Sequence, residues 1–209
     1  MKSRRGGRPK AGERLQRERH ILDVAGETFL RLGFDGTTMD AVAERARISK
    51  RTLYARYRDK AALFNAVLGG LIDHWLVPID RFQSGQGALK ETLLTLARYL
   101  SLFALTPQSV GVTRILIAES ERQPGFGRMA IESGRRPALR VIASILRRHR
   151  AELRRVDLDM AAEHFMNLVV DGHLQLACLG VQSSRRQIEH RVRTAVDMFL
   201  SGVRRRGMA

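Results

Sequence analysis

Between residues 37 and 60, hydroxyls and cations crowd around a few small apolar positions: TTMDAVAERARISKRTLYARYRDK. Ser49, Lys50, Arg51 and Thr52 are consecutive, with Tyr54, Arg56 and Lys60 close behind. The set is rich in hydrogen-bond donors and positive charge, which is the chemistry of anion recognition rather than of bond-making. Ser49 is placed to cap a helix whose first N–H groups could face a phosphate. Cations in that first turn oppose the helix dipole unless an anion compensates. The competing reading, a helical corner with no ligand, leaves those cations unexplained. Arg51 and Thr52 are the candidates for base edges in a major groove, Arg51 for guanine and Thr52 for a thymine methyl or a polar edge. Thr38, Lys50, Tyr54, Arg56 and Lys60 are expected to clamp phosphates, which fixes position without reading sequence. For Lys50 a base contact stays open as well. Arg45 and Arg47 are open between phosphate contact and simple solvation.

Three short helices are needed to hold these groups. Ile21, Leu22, Ala25, Phe29 and Leu32 recur at helical spacing, Gly33 stands where a left-handed cap would end the helix, and Phe34 can fold back. Thr37 and Asp40 read as a capping box that starts a second helix near Thr38, burying Met39, Val42, Ala43 and Ala46. The third helix turns Leu53 and Tyr57 inward, and Asp59 caps a fourth with Leu63, Phe64, Val67 and Leu68 on its buried face. This spacing predicts a helix-turn-helix head. The rest reads as helices over 88–103, 110–120, 126–155, 158–179 and 188–203, with a kink or a separate short helix expected at Gly134 and Pro137. The fold class expected is all-α. The domains expected are a flexible basic arm over 1–12, the head over 13–59, and a larger helical body over 60–209.

Across 209 residues, 37 Lys and Arg oppose 21 Asp and Glu, giving +16 with His neutral, so an anionic partner is favoured. The body is basic too, and charge alone does not locate the site. In the arm, Arg5 and Arg8 sit among Gly and Pro, a narrow cationic segment suited to a minor groove or to nonspecific attraction. Cys178 is the single cysteine, which points to a reducing compartment. The start of the chain has no secretory pattern and no uncharged stretch is long enough to span a bilayer, so the expectation is a cytoplasmic protein with no membrane partner. Six histidines show no metal-binding spacing and no Gly-rich phosphate loop follows a strand. No catalytic residue, metal or cofactor is expected.

The head resembles the TetR family of bacterial transcriptional regulators. The resemblance is carried by Ile21 to Ala25, Phe29, Gly33-Phe34, Thr37-Thr38, Val42-Ala43, Ala46, Ile48 to Lys50, Thr52 to Tyr54, Tyr57 and Lys60. It implies an operator-binding head, a body holding a small-molecule pocket, and a homodimer through the last two helices. Ser49, Lys50, Thr52, Tyr54, Arg56 and Lys60 match the family's DNA-facing positions, with Thr38 opening the second helix. Two positions depart: Arg47 stands where the family often has Gly, and Arg51 where a small residue is common. A looser likeness to one subgroup runs through Arg114, Glu119, Pro124 and Phe126.

In the body, Phe165, Leu168, Val169, Leu176 and Ala177, with Ile188, Val192, Val196, Phe199 and Leu200, read as the dimer stripes. Trp75, Phe82, Leu96, Phe103, Ile117, Phe126 and Met166 concentrate where a pocket would lie, with Tyr99, Arg114 and His173 as polar handles. The function expected is a dimeric repressor of a palindromic operator on double-stranded DNA, released by a small, largely apolar ligand. The alternative is a dimeric nonspecific or architectural DNA-binding protein without an effector.

Overall fold

The computed structural model describes residues 11–80 and 87–205. Arg5 and Arg8 of the expected arm, and Phe82 of the expected pocket, lie outside the described residues. Every helix named below comes from the described part, and the chain there is all-α apart from one isolated pair of extended residues. Two compact units divide it, the first ending at Gly70 and the second beginning at Leu71.

In the first unit, α1 (Ala11–Gly36) is broken at Gly33, whose φ of 71° is a left-handed backbone that glycine adopts without a Cβ clash. Ile21, Ala25 and Phe29 are buried as the spacing predicts, whereas Leu32 is turned outward. Phe34 folds back over Phe29 and both rings meet Phe64, at centroid separations of 5.9, 5.1 and 5.8 Å. Phe64 belongs to α4 (Lys60–Asp80). Val67 lies against Gly26 and Leu22 against Gly70, so the head's core takes in the first half of α4. The head therefore extends past the boundary expected at residue 59.

Between them lie α2 (Met39–Arg45) and α3 (Lys50–Tyr54). The cap of α2 is Thr38, whose Oγ1 accepts from the Ala41 N–H; Thr37 is buried and donates to Gly33 O at 2.7 Å. This corrects the capping box expected at Thr37. Ser49 caps α3 and Asp59 caps α4, each by accepting from a backbone N–H three residues on. That bond, first among its causes, holds the Asp59 carboxyl below the usual range.

In the second unit come α5 (Leu89–Ala104), α6 (Pro107–Glu119) and α7 (Pro124–Met129). Then follow α8 (Arg136–Arg148), α9 (Leu158–Met166), α10 (Gly172–Cys178) and α11 (Arg185–Val203). Thr106 caps α6 with Pro107 at its first turn, and Ser184 with Gln187 forms a full capping box on α11. Where a kink or a separate short helix is expected at Gly134 and Pro137, the short α7 is followed by a π turn, Ala130–Arg135, which lets Pro137 enter the next helix without a breach. A second π turn, Asn167–Asp171, joins α9 to α10. The helix expected to run to residue 155 stops at Arg148, where a 3₁₀ turn leads to an extended Leu153.

The core of this unit is built from Leu93, Leu96 and Leu100 of α5, Ile142 and Leu146 of α8, Phe165 and Val169 around α9, and Val196 and Phe199 of α11. Phe165 meets Phe199 edge-on at 5.1 Å. Phe165, Val169, Val192, Val196, Phe199 and Leu200 are thus internal, and correct the expected dimer stripes. Helical periodicity identifies an apolar face but not which neighbour covers it. Among the described residues no single helix is long and apolar enough to cross a membrane.

Candidate nucleic-acid interface

The turn between α2 and α3 sets the site. Ala46 is buried at the end of α2, and Arg47 then takes a φ of 53°, the left-handed backbone in which a side chain is strained. Ile48 N–H donates back to Ala43 O at 3.0 Å, which closes the turn and delivers Ser49 to the start of α3. The Ser49 hydroxyl accepts from Thr52 N–H at 3.1 Å and shares a second bond with the Thr52 hydroxyl at 2.8 Å. Leu53 is wholly buried and Tyr57 nearly so, its hydroxyl enclosed without a partner. Fixing Leu53 inward turns Lys50, Arg51, Thr52 and Tyr54 outward, and all four are exposed.

The cations differ in what holds them. Lys50 Nζ donates to Asp40 at 2.5 Å, and that hydrogen bond raises its pKa, keeping the charge. Arg56 lies 3.9 Å from Glu18 and Arg45 3.4 Å from Glu27. These exposed pairs are weak and can be exchanged for a phosphate. Arg47 and Arg51 have no ion pair among the described residues. Lys60 has turned toward the protein: its ammonium donates to Phe34 O at 2.6 Å and Asp35 O at 3.3 Å, and sits 4.5 Å over the Phe34 ring. It therefore caps the carbonyl end of α1. Sequence alone showed its charge and missed this role, because its partners are about 25 residues away.

The expected pocket residues separate. Trp75 stacks on Phe103 at 5.4 Å and Tyr99 donates its hydroxyl to Trp75 O at 2.7 Å, with Trp75 and Tyr99 packed against the core that contains Met166. His173 is buried, its Nδ1 has no partner, and burial followed by the charge of Arg191 pushes its pKa down. Ile117, by contrast, is 64% exposed and lines no interior. Arg114 is exposed and spends its guanidinium on Cys178 O and Ala177 O, at 2.9 and 3.0 Å, capping α10. Both are corrections: the stripe of α6 that carries them faces outward, with Val112 and Ile115 inward. The segment with Arg114 is thereby explained structurally. Glu119 is buried and accepts from Arg122, Pro124 opens α7, and Phe126 is sealed beneath it.

Two matters escaped the sequence reading. The π turns are joined by Arg135, which donates to Asn167 Oδ1 at 2.6 Å and Asp171 Oδ1 at 3.1 Å. The only hint was Pro137 inside a helical run. The other is an apolar depression of 440 Å³ between α9 and α11, bordered by Met160, His164, Leu168, Met198 and Phe199 among others. Among the described residues no group of three or more His, Cys, Asp or Glu is gathered to hold a metal.

A short three-helix head with a polar third helix, continued by a body of packed helices, defines a helix-turn-helix regulator architecture. The family model of bacterial regulatory proteins of the tetR family matches residues 21–67. That of the AefR-like transcriptional repressor C-terminal domain matches residues 91–202. The chain belongs to the TetR family.

The HTH-type transcriptional regulator RutR of Escherichia coli K12 is 39% identical over 67 residues, and the match spans 32% of each protein. The match thus covers about a third of that curated relative. Over nearly whole chains, a TetR-family regulator of Mesorhizobium loti MAFF303099 superimposes with a TM-score of 0.82 at 24% identity, covering 94% of this chain and all of that one. The flavonoid-responsive regulator FrrA does so with a TM-score of 0.71 at 30% identity, covering 92% and 99%.

Proposed function

We propose that this protein is a dimeric, sequence-specific DNA-binding repressor, released from a palindromic operator by a small, largely apolar ligand. The observation that carries the reading is the outward face of α3. Exposed Lys50, Arg51, Thr52 and Tyr54 surround a helix pinned by buried Leu53, and Arg47 and Arg51 have no ion pair among the described residues. Arg51 reads a base, Thr52 contacts a base edge, and Thr38, Arg47, Ser49, Lys50, Tyr54 and Arg56 meet phosphates. Lys60 holds the end of α1 so that its neighbours meet the backbone in register.

Dimerisation uses the outer face of α9 and α11. Met160, Leu168 and Met198 are exposed there around the 440 Å³ depression, an apolar surface of the kind a partner covers. Two heads related by a two-fold axis then meet two half-sites. For the effector, the buried and unpartnered His173 favours a ligand that is apolar with one hydrogen-bonding group, a description that a flavonoid of the kind named for FrrA fits. Trp75, Tyr99, Phe103 and Met166 supply the apolar wall.

Footprinting on the DNA upstream of its own gene tests the reading. A discrete palindromic footprint that a flavonoid removes supports it, whereas uniform coverage supports an architectural protein instead. Arg51→Ala is expected to lower affinity for the operator by about 1–3 kcal/mol and to leave scrambled DNA nearly unaffected. An equal loss on both sequences would refute base reading by Arg51.

A further inference from the structure

We propose that the second unit carries a nucleic-acid-binding surface of its own, an arginine array where α8 ends and α11 finishes. The chain brings two basic runs together by backbone pairing. Arg154 N–H donates to Val203 O at 2.9 Å, Arg205 N–H donates to Glu152 O at 3.0 Å, and Leu153 and Arg204 form an antiparallel bridge. The result sets Arg154, with Arg150 and Arg155 close in sequence, beside Arg204 and Arg205, and Arg147 and Arg148 end α8 just upstream.

Among the described residues Arg150, Arg154, Arg155 and Arg205 have no ion pair. Arg147 pairs with Asp159 at 2.6 Å and Arg204 with Glu152 at 3.5 Å. Arg150, Arg154 and Arg205 instead donate to the carbonyls of Arg154, Gly202 and Leu153. A carbonyl orients a guanidinium but leaves its charge in place. Gathering like charges this way costs energy that an anionic partner returns. Arg148, Arg154, Arg155 and Arg205 are all exposed. Arg204 has an enclosed Nε without a partner and borders a depression of 290 Å³ together with Ser201, Arg205 and the Lys90–Asp197 ion pair, 2.7 Å apart.

The chemistry of the array favours a phosphodiester backbone over an acidic peptide. From residue 71 onward 21 basic residues oppose 13 acidic ones, and every basic residue but Lys90 is arginine. The guanidinium fork takes phosphate and carboxylate alike through two parallel bonds, so the choice between them rests on the rest of the surface. A peptide partner would also need an apolar anchor, and Leu153 at the centre of the array is wholly buried.

The test uses the full chain with its head silenced by Lys50→Glu and Arg51→Glu, and reads binding to a short duplex of scrambled sequence by fluorescence anisotropy. Silencing the head separates this proposal from the operator reading, so either can fail alone. Adding Arg148→Gln, Arg155→Gln and Arg205→Gln is expected to weaken the remaining binding about tenfold or more and to lower its salt slope by about two to three. The matching lysine variants keep most of the affinity, and thermal melting checks that each variant folds. Equal affinity and slope with and without the glutamines overturn the proposal. Tighter binding to poly-glutamate than to duplex, lost in the same variant, would replace it with an acidic protein partner.

Discussion

Arg47 is where a single side chain most clearly works against its own backbone. Its φ of 53° belongs to the region that glycine occupies freely. Arg47→Gly is therefore expected to raise the stability of the protein by about 1 kcal/mol, read as a higher denaturation midpoint. If Arg47 holds a phosphate, the same variant binds DNA less tightly while melting later. A variant that gains stability and keeps its affinity would leave the arginine with no DNA role. This tension was legible in the sequence, since the turn between two short helices and the family's frequent glycine both pointed to residue 47. Ser49 and Asp59 were legible for a similar reason: a cap bonds within three residues, and local chemistry reaches that far. Lys60 and Arg114 were not. Their charges were plain, but the carbonyls they hold are about 25 and 64 residues away.

Among the helices, the best-defined cross-link is between α5 and α11. Arg98 donates to both oxygens of Glu189 at 2.6–3.1 Å, and Arg193 donates to the same carboxylate at 2.7 Å. Bonding to Arg98 first and Arg193 second lowers the Glu189 pKa from 4.5 to about 2. A carboxylate with a depressed folded pKa contributes stability above its unfolded value and loses it as pH falls toward the folded one. Stability is thus expected to decline as pH drops from 4.5 toward 2, and Glu189→Gln should flatten that decline in acid titrations followed by circular dichroism. An unchanged profile would show that the pair contributes nothing. Spacing had marked 88–103 as a helix and 188–203 as a helix with one apolar stripe, yet it assigned that inward stripe of α11 to a dimer contact. The error has a physical origin: one apolar stripe looks the same whether it meets its own chain or another.

For the whole molecule, assembly rests on the outer face of α9 and α11, where Met198 is 59% exposed. Leu168→Glu with Met198→Glu is expected to give a monomer in sedimentation and to weaken operator binding at least tenfold, because two half-sites no longer share one partner. A dimer that survives both charges would move the interface elsewhere. The two π turns joined by Arg135 bear on something different, the length of the chain. Each such turn holds one residue more than an α-helix needs. Deleting Glu132 should therefore convert 130–135 to ordinary helix with α8 and Arg135 left in place, whereas deleting Ala143 from α8 would swing Ile145 and Leu146 out of the core. The first variant is expected to fold with full helix content and the second to aggregate. Relatives one residue shorter at these two points can thus keep the same body, so gaps between related sequences should collect there.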